Sequence, residues 1–139
     1  FKPLSNDAIN NSSKLHEENF FISDESAKKI NSQLKDNKRS IAIGTTTLRA
    51  LESSWNNETN SVSPGKQTTT IFIKEGFKFN VANALLTNFH LPQSSLLMLV
   101  CAFAGKELIF SMYKFAIKNN LRFFSYGDAM IIERCPLNY

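Results

Sequence analysis

Ser40-Ile41-Ala42-Ile43-Gly44 is a short apolar run stopped by a glycine, and Thr45-Thr46-Thr47 then leads into Leu48, Leu51 and Trp55. The run reads as a strand, Gly44 as a tight turn, and the stretch from Thr45 onward as a helix whose N-terminus carries hydroxyls. Such strand-to-helix steps point to the α/β class. Leu15–Ile22, with Phe20 and Phe21, reads as a further strand. Ser23 and Asp24 are good caps for a helix over Asp24–Asn37, with Ala27, Ile30 and Leu34 on one face. Asn56–Gln67 is polar, contains Pro64-Gly65, and reads as a loop. Thr70–Ile73 reads as a strand, and Phe77, Phe79 and Val81 alternate like another. Ser94 or Ser95 caps an apolar helix ending at Gly105, Glu107–Asn120 is a second helix, and Ala129–Ile132 is a closing strand. The 139 residues, 42% of them hydrophobic, suffice for one globular domain but not comfortably for two.

The longest apolar run, Leu96–Gly105, is half of what a membrane span needs, ~20 residues, so it reads as a buried core helix. No basic-then-apolar signal stands at the start. Cys101 and Cys135 are far apart and in no metal-binding spacing, which reads as two reduced thiols in a cytoplasmic protein. A net charge of +4 is compatible with a nucleic-acid or phosphate partner without requiring one. No Walker loop, GxGxxG, GxSxG or HExxH is present.

Three stretches set reactive side chains among apolar ones. Gly44-Thr45-Thr46-Thr47-Leu48-Arg49 offers helix-terminal amides, hydroxyls and a forked guanidinium, a combination that can hold a carboxylate or phosphate. A glycine turn and a threonine cap also start many ordinary helices. Thr87-Asn88-Phe89-His90-Leu91-Pro92 carries an amide and an imidazole that need partners if buried. His90 is a candidate acid or base, against the blander reading of a satisfied structural histidine. Arg122-Phe123-Phe124-Ser125-Tyr126-Gly127-Asp128 pairs aromatics with an arginine, which suits a flat base, and Asp128 can accept from its edge. Phe123 and Phe124 as core, with Asp128 capping a turn, is the alternative. His16-Glu17-Glu18 is a weaker candidate, most simply a solvated surface.

Taken together, Phe1-Lys2-Pro3-Leu4, Leu15-His16-Glu17-Glu18, the Ile41–Ser53 stretch, Ala84–Pro92, Leu96–Gly105 and Arg122–Met130 resemble the S-adenosylmethionine:tRNA ribosyltransferase-isomerase family of queuosine biosynthesis, in its order and spacing. The resemblance implies a transferase that moves and rearranges the ribosyl part of S-adenosylmethionine onto 7-aminomethyl-7-deazaguanine at the tRNA wobble position. The products would be epoxyqueuosine, adenine and methionine. S-adenosylmethionine is then a substrate, and no cofactor, metal or membrane partner is expected. Residues 1–139 would be the C-terminal portion of the α/β catalytic domain, part of a barrel-like α/β unit, without its N-terminal portion or inserted β-barrel domain. Phe1 would then open within a longer protein, a monomer at full length, and a piece of this kind should expose apolar patches.

Matched onto this chain, His90, Asn88 and Asp128 are the catalytic candidates. Thr45, Thr46, Arg49, Phe124, Tyr126, His16 and Glu18 are the substrate-binding ones. Three positions depart from the family pattern. Ser13 stands for a histidine, Asn83 for an aspartate, and Lys74-Glu75 for Tyr-Pro before Gly76. An amide at position 83 cannot act as a carboxylate base. The competing reading from another class is a non-catalytic remnant of a split or decaying gene with at most weak RNA binding. A methyltransferase reading lacks its glycine-rich turn.

Overall fold

Ile41 and Ile43 point to one side of a short strand and Ala42 to the other, and Ala42 meets the core. This is β2 (Ile41–Ile43), in a computed structural model that describes residues 14–135. Phe1-Lys2-Pro3-Leu4 and Ser13 lie outside the described residues. Before β2 come β1 (Lys14–Ile22) and α1 (Asp24–Lys35). The α1 cap is Ser23, whose side chain accepts the Ser26 N–H at 3.1 Å. After β2 come α2 (Thr45–Ser53), β3 (Trp55–Asn56), β4 (Ser61–Val62), β5 (Gly65–Ile71) and β6 (Ala84–Asn88). The chain continues through α3 (Ser95–Ala104) and α4 (Lys106–Lys118) to β7 (Ala129–Glu133).

The strands form three small sheets. β2 runs parallel to β6 in register Ile41↔Ala84 to Ile43↔Leu86. β7 runs antiparallel to β6, from Ala84↔Glu133 to Asn88↔Ala129. β1 pairs antiparallel with β5, with a register shift between Lys14 and Glu18. β3 and β4 make a two-stranded hairpin. The fold is therefore mixed α/β, and among the described residues no sheet closes into a barrel.

One core lies on the inner face of the β2-β6-β7 sheet. Ala42, Leu85, Met130 and Ile132 meet Leu48 of α2, Leu99 and Phe103 of α3, and Ile109 and Ala116 of α4. Phe79 stands edge-on to Phe103 at 4.9 Å between centroids. A smaller cluster, Ile22, Ala27, Val62 and Val81, seats α1. The Ser94 side chain accepts the Leu97 N–H to start α3, as one of the two candidate serines should. Gly105, at φ 93°, ends α3 and opens α4, and the two helices meet at a 117° bend. No single described helix is long and apolar enough to cross a membrane.

Several expectations give way. Trp55 leaves the helix and pairs with Val62. The expected loop Asn56–Gln67 holds this hairpin and the start of β5. The Asn56 side chain builds the turn by accepting the N–H groups of Glu58 and Thr59. Phe77, Phe79 and Val81 alternate in burial but form no strand. The N–H groups of Asn80, Val81 and Ala82, which a ladder would need, donate instead to the Glu52 carboxylate.

Candidate functional site

Parallel strands in α/β proteins deliver their ligand-binding groups at their carboxyl ends, where the chain turns toward a helix. β2 and β6 end side by side here. Gly44, directly after β2, donates its N–H to the Leu86 carbonyl at 2.8 Å. β7 runs the other way, so its first residues come to the same end, with Ala129 opposite Asn88. All three stretches singled out in the sequence therefore meet at one edge of one sheet.

His90 lies just past β6 and is half-buried. Its Nε2 is 3.1 Å from the Thr87 hydroxyl, and its backbone N–H donates to the Tyr113 hydroxyl at 2.8 Å. Burial lowers its pKa to about 4, so the imidazole is neutral at neutral pH, with one ring nitrogen free of its proton. Burial also pushes the Tyr113 phenol up, which keeps it protonated. Phe89 turns inward, with its ring 5.2 Å from Tyr113 and 5.3 Å from Phe123.

The Asn88 side chain is tied to the segment of Asp128, and the Asp128 side chain holds that segment to itself. Asn88 Nδ2 donates to the carbonyls of Gly127 and Asp128 at 3.2 and 3.3 Å. Asp128 Oδ2 accepts the Arg122 N–H at 2.7 Å, and Oδ1 lies 3.7 Å from the Arg122 guanidinium. Phe123 packs on the core, whereas Phe124 and Tyr126 are exposed. The core reading therefore holds for Phe123 and not for Phe124.

Thr45 is buried at the first turn of α2, and Thr46 is exposed. The helix begins at Gly44 with no side-chain cap. Arg49 lies one turn on, along the same buried face as Thr45, Leu48 and Glu52. It is 5% exposed, and its Nη1 donates to Glu18 on β1 at 2.8 Å. Its Nε and Nη2 have no hydrogen-bond partner. Those two nitrogens share one edge of the guanidinium, the edge that forks onto a carboxylate or phosphate. His16 is exposed on β1.

Asn83 stands just before β6 (Ala84–Asn88) and so at the opposite end of that strand from His90. Its Oδ1 accepts the Ser40 N–H at 2.9 Å, which an amide does as well as a carboxylate. Tyr113, beside His90, and Glu52, which holds residues 80–82 at the other end of β6, escaped the sequence reading. Tyr113 and Glu52 carried a signal, since each puts a polar group on the buried stripe of its helix. Burial raises the Glu52 pKa, against the opposing pull of its backbone hydrogen bonds. Among the described residues no group of three His, Cys, Asp or Glu is placed to hold a metal ion.

Comparison with known proteins identifies relatives across nearly the whole chain. A family model described as "Queuosine biosynthesis protein" matches residues 1–132. The S-adenosylmethionine:tRNA ribosyltransferase-isomerase of Rickettsia africae is 51% identical over 134 residues, which are 96% of this chain and 36% of the relative. Its namesake in Treponema denticola is 49% identical over 119 residues, 86% of this chain and 34% of the relative. A crystal structure of an S-adenosylmethionine tRNA ribosyltransferase from Thermotoga maritima superposes with a TM-score of 0.72 at 40% identity, covering 82% of this chain and 40% of that one. The chain thus spans little more than a third of the length of these curated relatives. The chain belongs to the S-adenosylmethionine:tRNA ribosyltransferase-isomerase family of queuosine biosynthesis.

Proposed function

We propose that this chain supplies the C-terminal portion of a barrel-like α/β catalytic domain, completed by an N-terminal portion and an inserted β-barrel domain. The assembled enzyme moves and isomerises the ribosyl group of S-adenosylmethionine onto 7-aminomethyl-7-deazaguanine at the tRNA wobble position. Epoxyqueuosine forms, and adenine and methionine leave. The setting is the cytoplasm, and the full-length protein is a monomer that needs no cofactor.

The observation that carries this reading is the half-buried His90, held neutral at the edge where β2, β6 and β7 bring the three stretches together. The reaction requires a base for a proton beside the sulfonium, and a neutral imidazole can take one. The proton so gained can return to the departing adenine. Thr87 and Tyr113 hold the imidazole and its backbone in place. The free edge of Arg49, set by Glu18 and followed along the helix face by Thr45, suits the methionine carboxylate or a tRNA phosphate. The exposure of Thr46 and His16 supports a role for both in binding the larger substrate.

The test uses S-adenosylmethionine labelled separately in its ribosyl and methyl groups, with tRNA bearing the precursor base. The chain is assayed alone and together with the part of the Rickettsia africae relative that it does not match. Ribosyl label should reach the tRNA in at least one arm, and His90→Ala should lower that rate by about 100-fold, the usual worth of a general base. Methyl label in the tRNA would make the protein a methyltransferase. No label in either arm would make it a non-catalytic remnant.

A further inference from the structure

The segment 122–128 joins α4 to β7, and hydrogen bonds or packing hold Arg122, Phe123, Phe124, Gly127 and Asp128 in it. Phe124 donates its N–H to the Phe89 carbonyl at 3.0 Å. Gly127 donates to the Phe124 carbonyl at 2.9 Å and Asp128 to the Arg122 carbonyl at 2.8 Å. The Asp128 carboxylate closes the loop by accepting the Arg122 N–H, and the Asn88 amide pins its far side from β6. Gly127 is required by packing, since a Cβ there would stand 2.4 Å from the Arg122 carbonyl oxygen. Phe123 wedges its ring against Phe89 and Tyr113 underneath. Phe124 is held at φ 69°, a left-handed conformation that a side-chain-bearing residue adopts only when its surroundings impose it.

All this restraint packs only one of the three aromatic rings that the loop carries against the core, that of Phe123, and leaves the other two in solvent. Phe124 is 54% exposed and Tyr126 is 96% exposed. An aromatic ring in water gives up a large hydrophobic gain. A loop that is fixed in shape and still holds two rings in solvent is organised around something that covers them. Arg122 stands at the base of the same loop with its side chain 75% exposed.

From this geometry we infer that residues 122–128 form a stacking platform for a purine-type base displayed by a single-stranded RNA loop. Phe124 and Tyr126 supply the faces, and Arg122 supplies charge for the adjoining backbone. Asp128 and Asn88 are positioning residues, because their polar atoms are engaged in fixing the loop. The identity of the ligand rests on the tRNA reading above. Base–aromatic stacking with a nearby arginine is the chemistry of single-strand binding. The adenine of S-adenosylmethionine has the same chemistry but a different need. A small ligand is 70–90% enclosed by its site, and a ring as open as Tyr126 encloses little. A base presented by a polymer requires no enclosure.

The experiment titrates the full chain into an anticodon stem-loop RNA with 2-aminopurine at a loop purine position, whose fluorescence falls on stacking. S-adenosylmethionine binding is measured in parallel by calorimetry. Quenching is expected with the parent chain, and Tyr126→Ala and Phe124→Ala should each weaken binding by about tenfold, within the range for one lost stack. Asp128→Asn should bind within about twofold of the parent, because its amide oxygen still accepts the Arg122 N–H. Asp128→Ala, checked for folding by circular dichroism, should lose as much as Tyr126→Ala. Parent-like binding by both ring variants overturns the platform. A folded Asp128→Asn as weak as Asp128→Ala makes Asp128 a base contact and overturns its positioning role. Ring variants that weaken S-adenosylmethionine but not RNA assign the rings to adenine and overturn the RNA platform. Ribosyl transfer enters none of these readouts, so failure of the platform and failure of the proposed reaction are separable.

Discussion

At the scale of single residues, His90 shows how a side chain chosen by sequence takes its properties from neighbours far away in the chain. Its backbone partner Tyr113 lies 23 residues on, and burial lowers its pKa from 6.5 to about 4. In the unfolded chain the imidazole gains a proton near pH 6.5, while in the folded chain it stays neutral down to about pH 4. The unfolded state therefore binds more protons across that window, and stability is full above about pH 6.5 and declines as pH falls toward 4. His90→Gln should flatten that decline, measured by thermal melts at steps between those two values. Parent and variant slopes that coincide would show that another group carries the effect. Arg49 is the other residue of this kind. Its place on a helix after Gly44 was legible, but its pairing with Glu18 and its open edge were not, because β1 lies 31 residues earlier.

Elements were legible where their signal was local. The Ser23 and Ser94 caps, the strand ending at Gly44 and the helix after it follow from residue type and spacing, and the structure has them. The failures have a common cause, a tertiary partner taking the backbone groups that the local pattern assigned elsewhere. Glu52 draws in the N–H groups of residues 80–82 and replaces a strand. Val62 pairs with Trp55 and shortens a helix. Gly44 links the legible part to the site, because it turns β2 into α2 at φ 88° and ψ 147°. A Cβ at Gly44 would meet nothing within 4 Å, so substitution costs only backbone strain. Gly44→Ala should lower unfolding free energy by about 1–3 kcal/mol, the worth of one such strained residue. Denaturant titration reads this directly, and no shift in midpoint would mean that the turn relaxes to another conformation.

Across the whole molecule, the β2-β6-β7 sheet is covered on one face only. On the other face Ile43, Leu86 and Ile131 line up across the three strands, with Ile43 69% and Ile131 62% exposed and Ile41 52% exposed beside them. A solvated face of a sheet is normally polar, and this one is apolar, so the apolar exposure expected from the family resemblance is present. The chain should bind an apolar dye, and Ile43→Lys with Ile131→Glu should abolish most of that binding while shifting the melting temperature little, since neither side chain is in the core. Dye binding unchanged in the double variant would locate the patch elsewhere, for example on the exposed Phe115 and Ile117 of α4. The sequence by itself determined the α/β character, the main helices and strands, and membership of the family, because capping, periodicity and motif order are properties of neighbouring residues. Only the tertiary structure decided that the three stretches share one sheet edge, that Asp128 holds Arg122, that Glu52 stands in for a strand partner, and which face of the sheet stays bare. Each of these depends on register and packing between segments far apart in the chain, and local spacing carries no record of them.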